Sequence, residues 1–394
     1  MIDPVENQLV ALIRAGFVPL AGMPALNEVD WTTLVDYARR ERVESLLYIA
    51  LKNQGWLAQL PREIAERLRF MYLRTDVNNW RTFQMVEDLL AQFEREQIPL
   101  VLLKGAALAA TLYPNPGLRG LGDLDILIRV EDRTRVDTLM QANGFTVLLE
   151  LVDRFGDDFR SEKTFVRDDT WSISVDLHWH VINVPSYVRK VSVDWFWART
   201  MEVPFGKFRA HVWNWDAQLL HLIEHFFIHH QMRGVRWSHD IALLLALHQS
   251  ELHWDEILDA AHQFQVLPAL NATLALIEGE WKVPVSASVR AQLDEPRLDW
   301  ANRIGMIIAT SERPHVRVLH DGLSYRSWRD KVAYLFYCFF PSRAYMRTRY
   351  RISHSILMPF YYLWRLFLGA WLLFKSVWSI LVNAVRVMRQ VRKG

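Results

Sequence analysis

The segment Asp123-Leu124-Asp125-Ile126-Leu127-Ile128 constrains this chain more than any other. In a strand, side chains at i and i+2 share a face. An extended run here therefore turns Asp123 and Asp125 one way and Leu124, Ile126 and Ile128 the other. Two carboxylates that close repel unless a proton or a cation lies between them, and a hard divalent cation such as Mg²⁺ suits all-oxygen ligands. On its own a D-x-D pair is more often a solvated strand edge or turn acids. A third acid strengthens the pattern. In Ile173-Ser-Val-Asp176-Leu-His-Trp-His180 the apolar Ile173, Val175, Leu177 and Trp179 alternate with Ser174, Asp176, His178 and His180. An ionised aspartate in such a strand is costly without a partner. If the two strands are neighbours, three carboxylates converge. That geometry suits two metal ions roughly 3.5–4 Å apart, clamping the attacking and leaving oxygens of an in-line phosphoryl displacement.

Helical patterns surround these strands. Leu34, Val35, Ala38, Val43, Leu46 and Leu47 predict a helical stretch over 31–53. Pro61 suits a first helical turn, and a longer helical pattern covers 80–96. Pro99–Leu103 reads as a short buried strand that ends at Lys104-Gly105, followed by a helix over 106–112 and a loop at Tyr113-Pro-Asn-Pro-Gly117. A helix over 131–142 with Asn143-Gly144 as its C-cap, a strand over 145–151 and a hairpin from 163–167 and 171–179 come next. Beyond that, Asp216 is expected to cap a helix through His230, and Ser238 one through about His248, with further helices to about residue 310. Strands confined to 99–180 between helical regions predict an α+β fold, a small mixed sheet embedded in a mostly α-helical chain. The expected divisions are a helical region at 1–97, the α/β core at 98–200, a second helical region at 201–330 and a basic aromatic tail at 331–394.

The wording L-K-G-x-A-L … Y-P-x-P-G-L-R … D-L-D-I-L, followed by V-D-L-H-W, resembles a family of uncharacterised bacterial nucleotidyltransferases. More broadly, it is similar to the polymerase-beta-like nucleotidyltransferase superfamily. The similarity covers about residues 99–180. The resemblance implies a nucleotidyltransferase core and a metal-dependent transfer of an NMP group from an NTP such as ATP to a hydroxyl acceptor. It implies that Asp123 and Asp125 bind both of two Mg²⁺ ions. Asp176 would bind the catalytic one and help deprotonate the acceptor, and Gly105 would let the backbone approach the triphosphate. Where the superfamily usually has serine after that glycine, this chain has Ala106. Lys104 or Arg119, the latter in the loop before the acids, then stands in as phosphate ligand. The same departure motivates an alternative, a nucleotidyltransferase-like binding module without activity, tethered by its tail.

A competing motif is His221-Leu-Ile-Glu224-His225, an H-x-x-E-H pattern, with His229 one turn on and His230 and His239 nearby. It admits a zinc hydrolase. A helix turning a polar histidine face toward the acid-bearing core is the weightier reading in a chain with 14 histidines. Asp240 reads as an early-turn helix acid.

The overall charge of +2 hides an asymmetry. After Asp330 there are eleven Lys and Arg residues and no acid, so residues 1–330 carry −9. An acidic body argues against nucleic acid as a partner. Beyond residue 355 the pattern predicts an amphipathic helix. Arg365, Lys375, Arg386, Arg389 and Lys393 fall on one side, and Leu366, Leu373, Val377 and Leu381 on the other. Peripheral contact with an anionic membrane, and packing of its apolar side on the protein's own body or on a partner protein, are the expectations for it. One cysteine, Cys338, forms no internal disulfide, and the first residues carry no apolar stretch of the secretory type. Both point to a cytoplasmic protein, at the inner face of the membrane if the tail binds lipid.

Overall fold

The computed structural model describes residues 3–16, 24, 30–148, 161–167, 173–188, 190–294, 322, 325 and 327–391, with no side chain beyond 375. The expected strand end at 149–151, the helices expected at 295–310 and the side chains of Arg386, Arg389 and Lys393 lie outside the described residues.

A five-stranded mixed sheet carries the acids. Its strands are β1 (Leu100–Leu102), β2 (Asp123–Ile128), β3 (Phe145–Val147), β4 (Glu162–Arg167) and β5 (Ser174–His178), in spatial order β1-β2-β5-β4-β3. β2 and β5 are parallel and every other pair is antiparallel. The alternation read from sequence sets which side is core. Leu124, Ile126 and Ile128 of β2 pack with Leu100, Leu102, Val175 and Leu177. Full burial of each such side chain contributes about 1.5–3 kcal/mol. This side is covered by Val86, Leu89, Leu90 and Phe93 of helix α4 (Arg62–Arg95) and by Val136 and Met140 of helix α6 (Arg133–Ala142). The mostly helical chain and its small mixed sheet agree with the α+β expectation.

The helical regions on either side of the sheet in sequence share one larger core. Leu9, Leu12 and Ile13 of α1 (Pro4–Arg14), with Leu34 and Val35 of α2 (Trp31–Arg40) and Leu47 and Leu51 of α3 (Glu44–Asn53), pack with residues from 213–293. The stretch expected over 31–53 breaks into α2 and α3 at Arg42, which has a positive φ of 56°. The two patterns around 61–73 and 80–96 instead join as the single α4.

Several expected details are corrected. Strands are not confined to 99–180: β6 (Thr200–Phe205) and β7 (Phe208–Trp213) form a separate hairpin. Gly206 turns it at φ 56°, and Phe205, Ala210 and Val212 join the sheet's core. Asp216 does not cap its helix. Asn214 does, accepting from the Ala217 amide, while buried Asp216 accepts from the backbone and ring of His253. Ser238 lies one turn inside the helix Val235–His248 and donates to the Val235 carbonyl.

Candidate active site

The register of β2 on β5 pairs Asp123 with Ser174, Asp125 with Asp176 and Leu127 with His178. Partners in register point to the same side of a sheet. Asp176 therefore stands beside Asp125, with Asp123 two residues along, all opposite the core face. β4 adds Glu162 across from His178 and Thr164 across from Asp176. The acids line one wall of a cleft of about 280 Å³.

Lys104 ends the turn from β1 into helix α5 (Lys104–Thr111). It holds a positive φ of 44°, a region that non-glycine residues enter rarely and at a cost of order 1–3 kcal/mol. Its Nζ donates to Asp125 Oδ1 at 2.7 Å. His178 Nε2 meets the same oxygen at 2.8 Å, and its Nδ1 lies 3.3 Å from Glu162 Oε2. The Asn183 amide donates to Glu162 Oε1 at 2.6 Å. Gly105 leaves little room for a side chain, since a Cβ there would come within 3.0 Å of Leu121 Cδ2. Ala106 is buried in the sheet's core and presents nothing to the cleft.

The three aspartates titrate unequally. Burial raises Asp123, and the charge of Asp125 raises it further. Burial likewise raises Asp176, with Asp125 and Asp123 adding to it and the Thr164 hydroxyl opposing. Burial also pushes on Asp125, but the Lys104 ammonium and the His178 hydrogen bond outweigh it and hold that carboxyl well below the usual range. Asp176 Oδ1 is buried and accepts no hydrogen bond.

The opposite wall comes from far along the chain. The helix Trp215–Glu224 widens into a π-turn at His225–His229, a distortion common at functional sites. His225, His229 and His230 line the cleft with Arg236 and Trp237. The His230 ring stacks 3.4 Å from Trp237, and its Nε2 meets His225 Nε2 at 3.0 Å. Burial, with Arg236 and Lys104 nearby, lowers His230 to about 4. His225 is also pushed well down, first by burial and then by Lys104. Arg236 stacks its guanidinium 4.6 Å from the Trp237 ring and has a buried Nε with no hydrogen bond. Its proximity lowers Asp123. The remaining members of the H-x-x-E-H pattern lie behind this wall. His221 is buried edge-on against Trp213, 4.7 Å between rings, and Glu224 is buried and raised by desolvation.

Arg119, expected as a phosphate ligand, lines the cleft with its donors engaged from within the protein. It is buried, with Nε and Nη2 on Asp240 at 2.9 and 2.7 Å and Nη1 on the Gly120 carbonyl at 3.0 Å. Tyr113 donates to the same Asp240 at 2.5 Å. Asp240 is thus an interior anchor joining the loop before β2 to the helix Val235–His248, rather than merely an early-turn acid. Asn79 of α4 fixes the loop from the other side, donating to the carbonyls of Pro116 and Arg119 at 2.6 and 2.8 Å. Sequence reasoning did not single out Glu162 or Asn183, and in the stretch Arg236-Trp237-Ser238-His239-Asp240 it weighed only Asp240 for a role. Glu162 was visible as the alternate partner of Thr164 on β4, whereas nothing local marks Arg236.

Among the described residues no three His, Cys, Asp or Glu side chains close around a common point as they stand. This holds for the H-x-x-E-H residues and for the aspartates, where Lys104 and His178 already cover Asp125 Oδ1. The chemistry of the acid wall nonetheless fits a hard divalent cation. It offers three carboxylates on one side of a sheet, two of them raised by burial and by their neighbours' charge, and one buried oxygen with no donor.

A crystal structure of an antigenic nucleotidyltransferase-like protein from Paracoccidioides brasiliensis aligns with 52% of this chain and 94% of its own, at 15% identity and a TM-score of 0.36. No curated protein matches the chain. Residues 27–279, well over half of the chain, match the family described as uncharacterised nucleotidyltransferase and take in both walls of the cleft. The chain belongs to this uncharacterised nucleotidyltransferase family.

Proposed function

We propose that the protein transfers an NMP group from an NTP to a hydroxyl-bearing acceptor at the aspartate wall, in the cytoplasm. The observation that carries this reading is the register of Asp125 beside Asp176, with Asp123 on the same face. Asp123, Asp125 and Asp176 would hold a divalent cation, Mg²⁺ by donor type, which when bound supplies neutralisation of the triphosphate charge. The other tasks fall to the chain's own groups. Arg236, with its free buried Nε, and Lys104, already directed into the cleft, bind phosphate oxygens. Gly105 keeps the turn beside Lys104 narrow. Asp176 Oδ1 receives the proton of the acceptor hydroxyl. The acceptor oxygen then bonds to the α-phosphorus as the bond to the β-phosphate oxygen breaks, and pyrophosphate leaves. His225 and His230, held neutral, add no positive charge to the acceptor side of the cleft.

The test follows pyrophosphate release from each NTP with Mg²⁺ across a panel of hydroxyl acceptors. Asp123 opens β2 at its exposed end, so Asp123→Ala is expected to abolish release while leaving the melting temperature unchanged. Normal turnover by that variant overturns the reading. A second reading, binding without turnover, is favoured by the Lys104 ammonium on Asp125, a built-in cation where a metal would sit. Calorimetry separates the two: NTP binding with no pyrophosphate released over the acceptor panel supports the module.

A further inference from the structure

The tail forms its own small packing unit. The helix Met358–Val391 lies against the helices Trp328–Phe339 and Arg343–Tyr350. Met358 packs with Met346 and Ile352. A Cβ at Gly369 would run into the Phe339 ring, so the helices approach closely there. Arg365 does not head the cationic outer face expected from sequence. It turns inward and donates to the Cys338 carbonyl at 2.7 and 3.0 Å and to the Tyr350 hydroxyl at 3.1 Å. Tyr362 donates to the Pro341 carbonyl at 2.6 Å. These contacts fix the helix's rotation.

The side left outward is aromatic. Phe360, Leu363, Trp364, Phe367, Trp371 and Phe374 recur at spacings of three and four residues and make one stripe about four turns long. They remain between 50% (Trp371) and 70% (Phe367) exposed. Trp328, Val332 and Phe336 make a second exposed run at i, i+4 and i+8. Soluble surfaces rarely carry contiguous apolar area of this kind without a binding role. Cations border both runs: Lys375 lies 5.2 Å from the Trp371 ring and Arg329 6.0 Å from that of Trp328. No helix among the described residues is long and apolar enough to cross a membrane.

We propose that this segment docks the protein on an anionic lipid bilayer. The aromatic stripe enters the boundary between headgroups and acyl chains, where tryptophan and phenylalanine partition well, and the Lys and Arg side chains meet lipid phosphates. Charge decides between occupants. Eleven cations with no acid beyond Asp330 suit a negative surface, while two copies joined stripe to stripe would bring those cations together.

The experiment is co-sedimentation of the full-length protein with vesicles of phosphatidylcholine alone and of phosphatidylcholine mixed with phosphatidylglycerol. Binding is expected to the mixed vesicles, weakened by salt and much weaker with phosphatidylcholine alone. Because the stripe is exposed, the triple variant Trp364→Ser, Phe367→Ser, Trp371→Ser is expected to keep its helical circular dichroism and melting temperature. Its partition into mixed vesicles is expected to fall at least about tenfold. Three outcomes overturn the proposal: no sedimentation with mixed vesicles at low salt, unchanged partition of the triple variant, or light scattering that shows an oligomer dispersed by those substitutions while vesicles capture nothing.

Discussion

Both walls of the cleft carry titratable groups, and desolvation acts on them in opposite senses. On the acid wall, desolvation raises Asp123 and Asp176 and so favours their neutral, protonated forms. On the histidine wall it lowers His225 and His230 and so favours their neutral, unprotonated forms. Asp125 departs from this pattern because Lys104 and His178 both bind it. The comparison teaches that the cleft opposes net charge and retains it where a partner is built in. A cation bound at the acids would complete for Asp123 and Asp176 what Lys104 already does for Asp125.

The sharpest way to break the comparison is Asp176→Asn. The substitution keeps shape and removes the proton acceptor and one anionic ligand, so turnover is expected to fall at least about a thousandfold. NTP affinity, measured by calorimetry, is expected to change far less. Equal losses in both would make Asp176 a general binding group and remove its assigned role in proton transfer.

Next in size is the anchor behind both walls. Asp240 is fully buried and holds Arg119 and Tyr113. Removing one partner of a buried ion pair strands the other. Asp240→Ala is expected to destabilise the protein by about 3 kcal/mol, read from the denaturant midpoint. The effect belongs at the low end for such pairs because Arg119 keeps its bond to the Gly120 carbonyl. A loss within the scatter of surface substitutions would refute the anchor.

These residues also show what could be read from the chain alone. The face of β2 was legible, because alternation fixes which side each residue takes before any neighbour is known. The strand next to β2 was a conditional, since parallel pairing spans some fifty residues and leaves no local mark. The buried pairing of Arg119 was hidden for the same reason. A loop arginine four residues before an acid looks like a ligand, and only the approach of Asp240, 121 positions away, engages its donors. The β6–β7 hairpin was overlooked although Gly206 and the alternating Phe208, Ala210 and Val212 signal it. The histidine face was legible as a motif, but its place opposite the acids depends on the helices closing over the sheet.

A pH titration of stability sharpens the contrast further. His230 and His239 are each lowered to about 4, mainly by burial, against about 6.5 in an unfolded chain. Between pH 4 and 6.5 the unfolded state therefore binds more protons at these sites, and stability falls as pH drops through that window. Asp123 and Asp176, raised in the fold, work the other way and gain stability as they protonate. His239→Gln is expected to flatten the acid-side slope of the denaturant midpoint. A slope as steep as in the parent chain would assign the acid sensitivity elsewhere.

The smallest expected effect concerns the position where serine is usual. The hydroxyl missing beside Gly105 motivates the reading of a binding module without activity, yet Ala106 packs in the sheet's core among Leu102, Leu124 and Ile126 rather than at the cleft. Ala106→Ser places a hydroxyl there, at a cost of about 1 kcal/mol or somewhat more if it finds no acceptor. NTP binding is expected to stay within about twofold, a difference of roughly 0.4 kcal/mol, because the added oxygen does not reach the cleft that Lys104 and Arg236 line from opposite walls. A large gain in affinity or turnover would mean that the turn can rotate residue 106 into the cleft. The strained backbone at Lys104 would then be the element that rotates, rather than a fixed mount for the ammonium on Asp125.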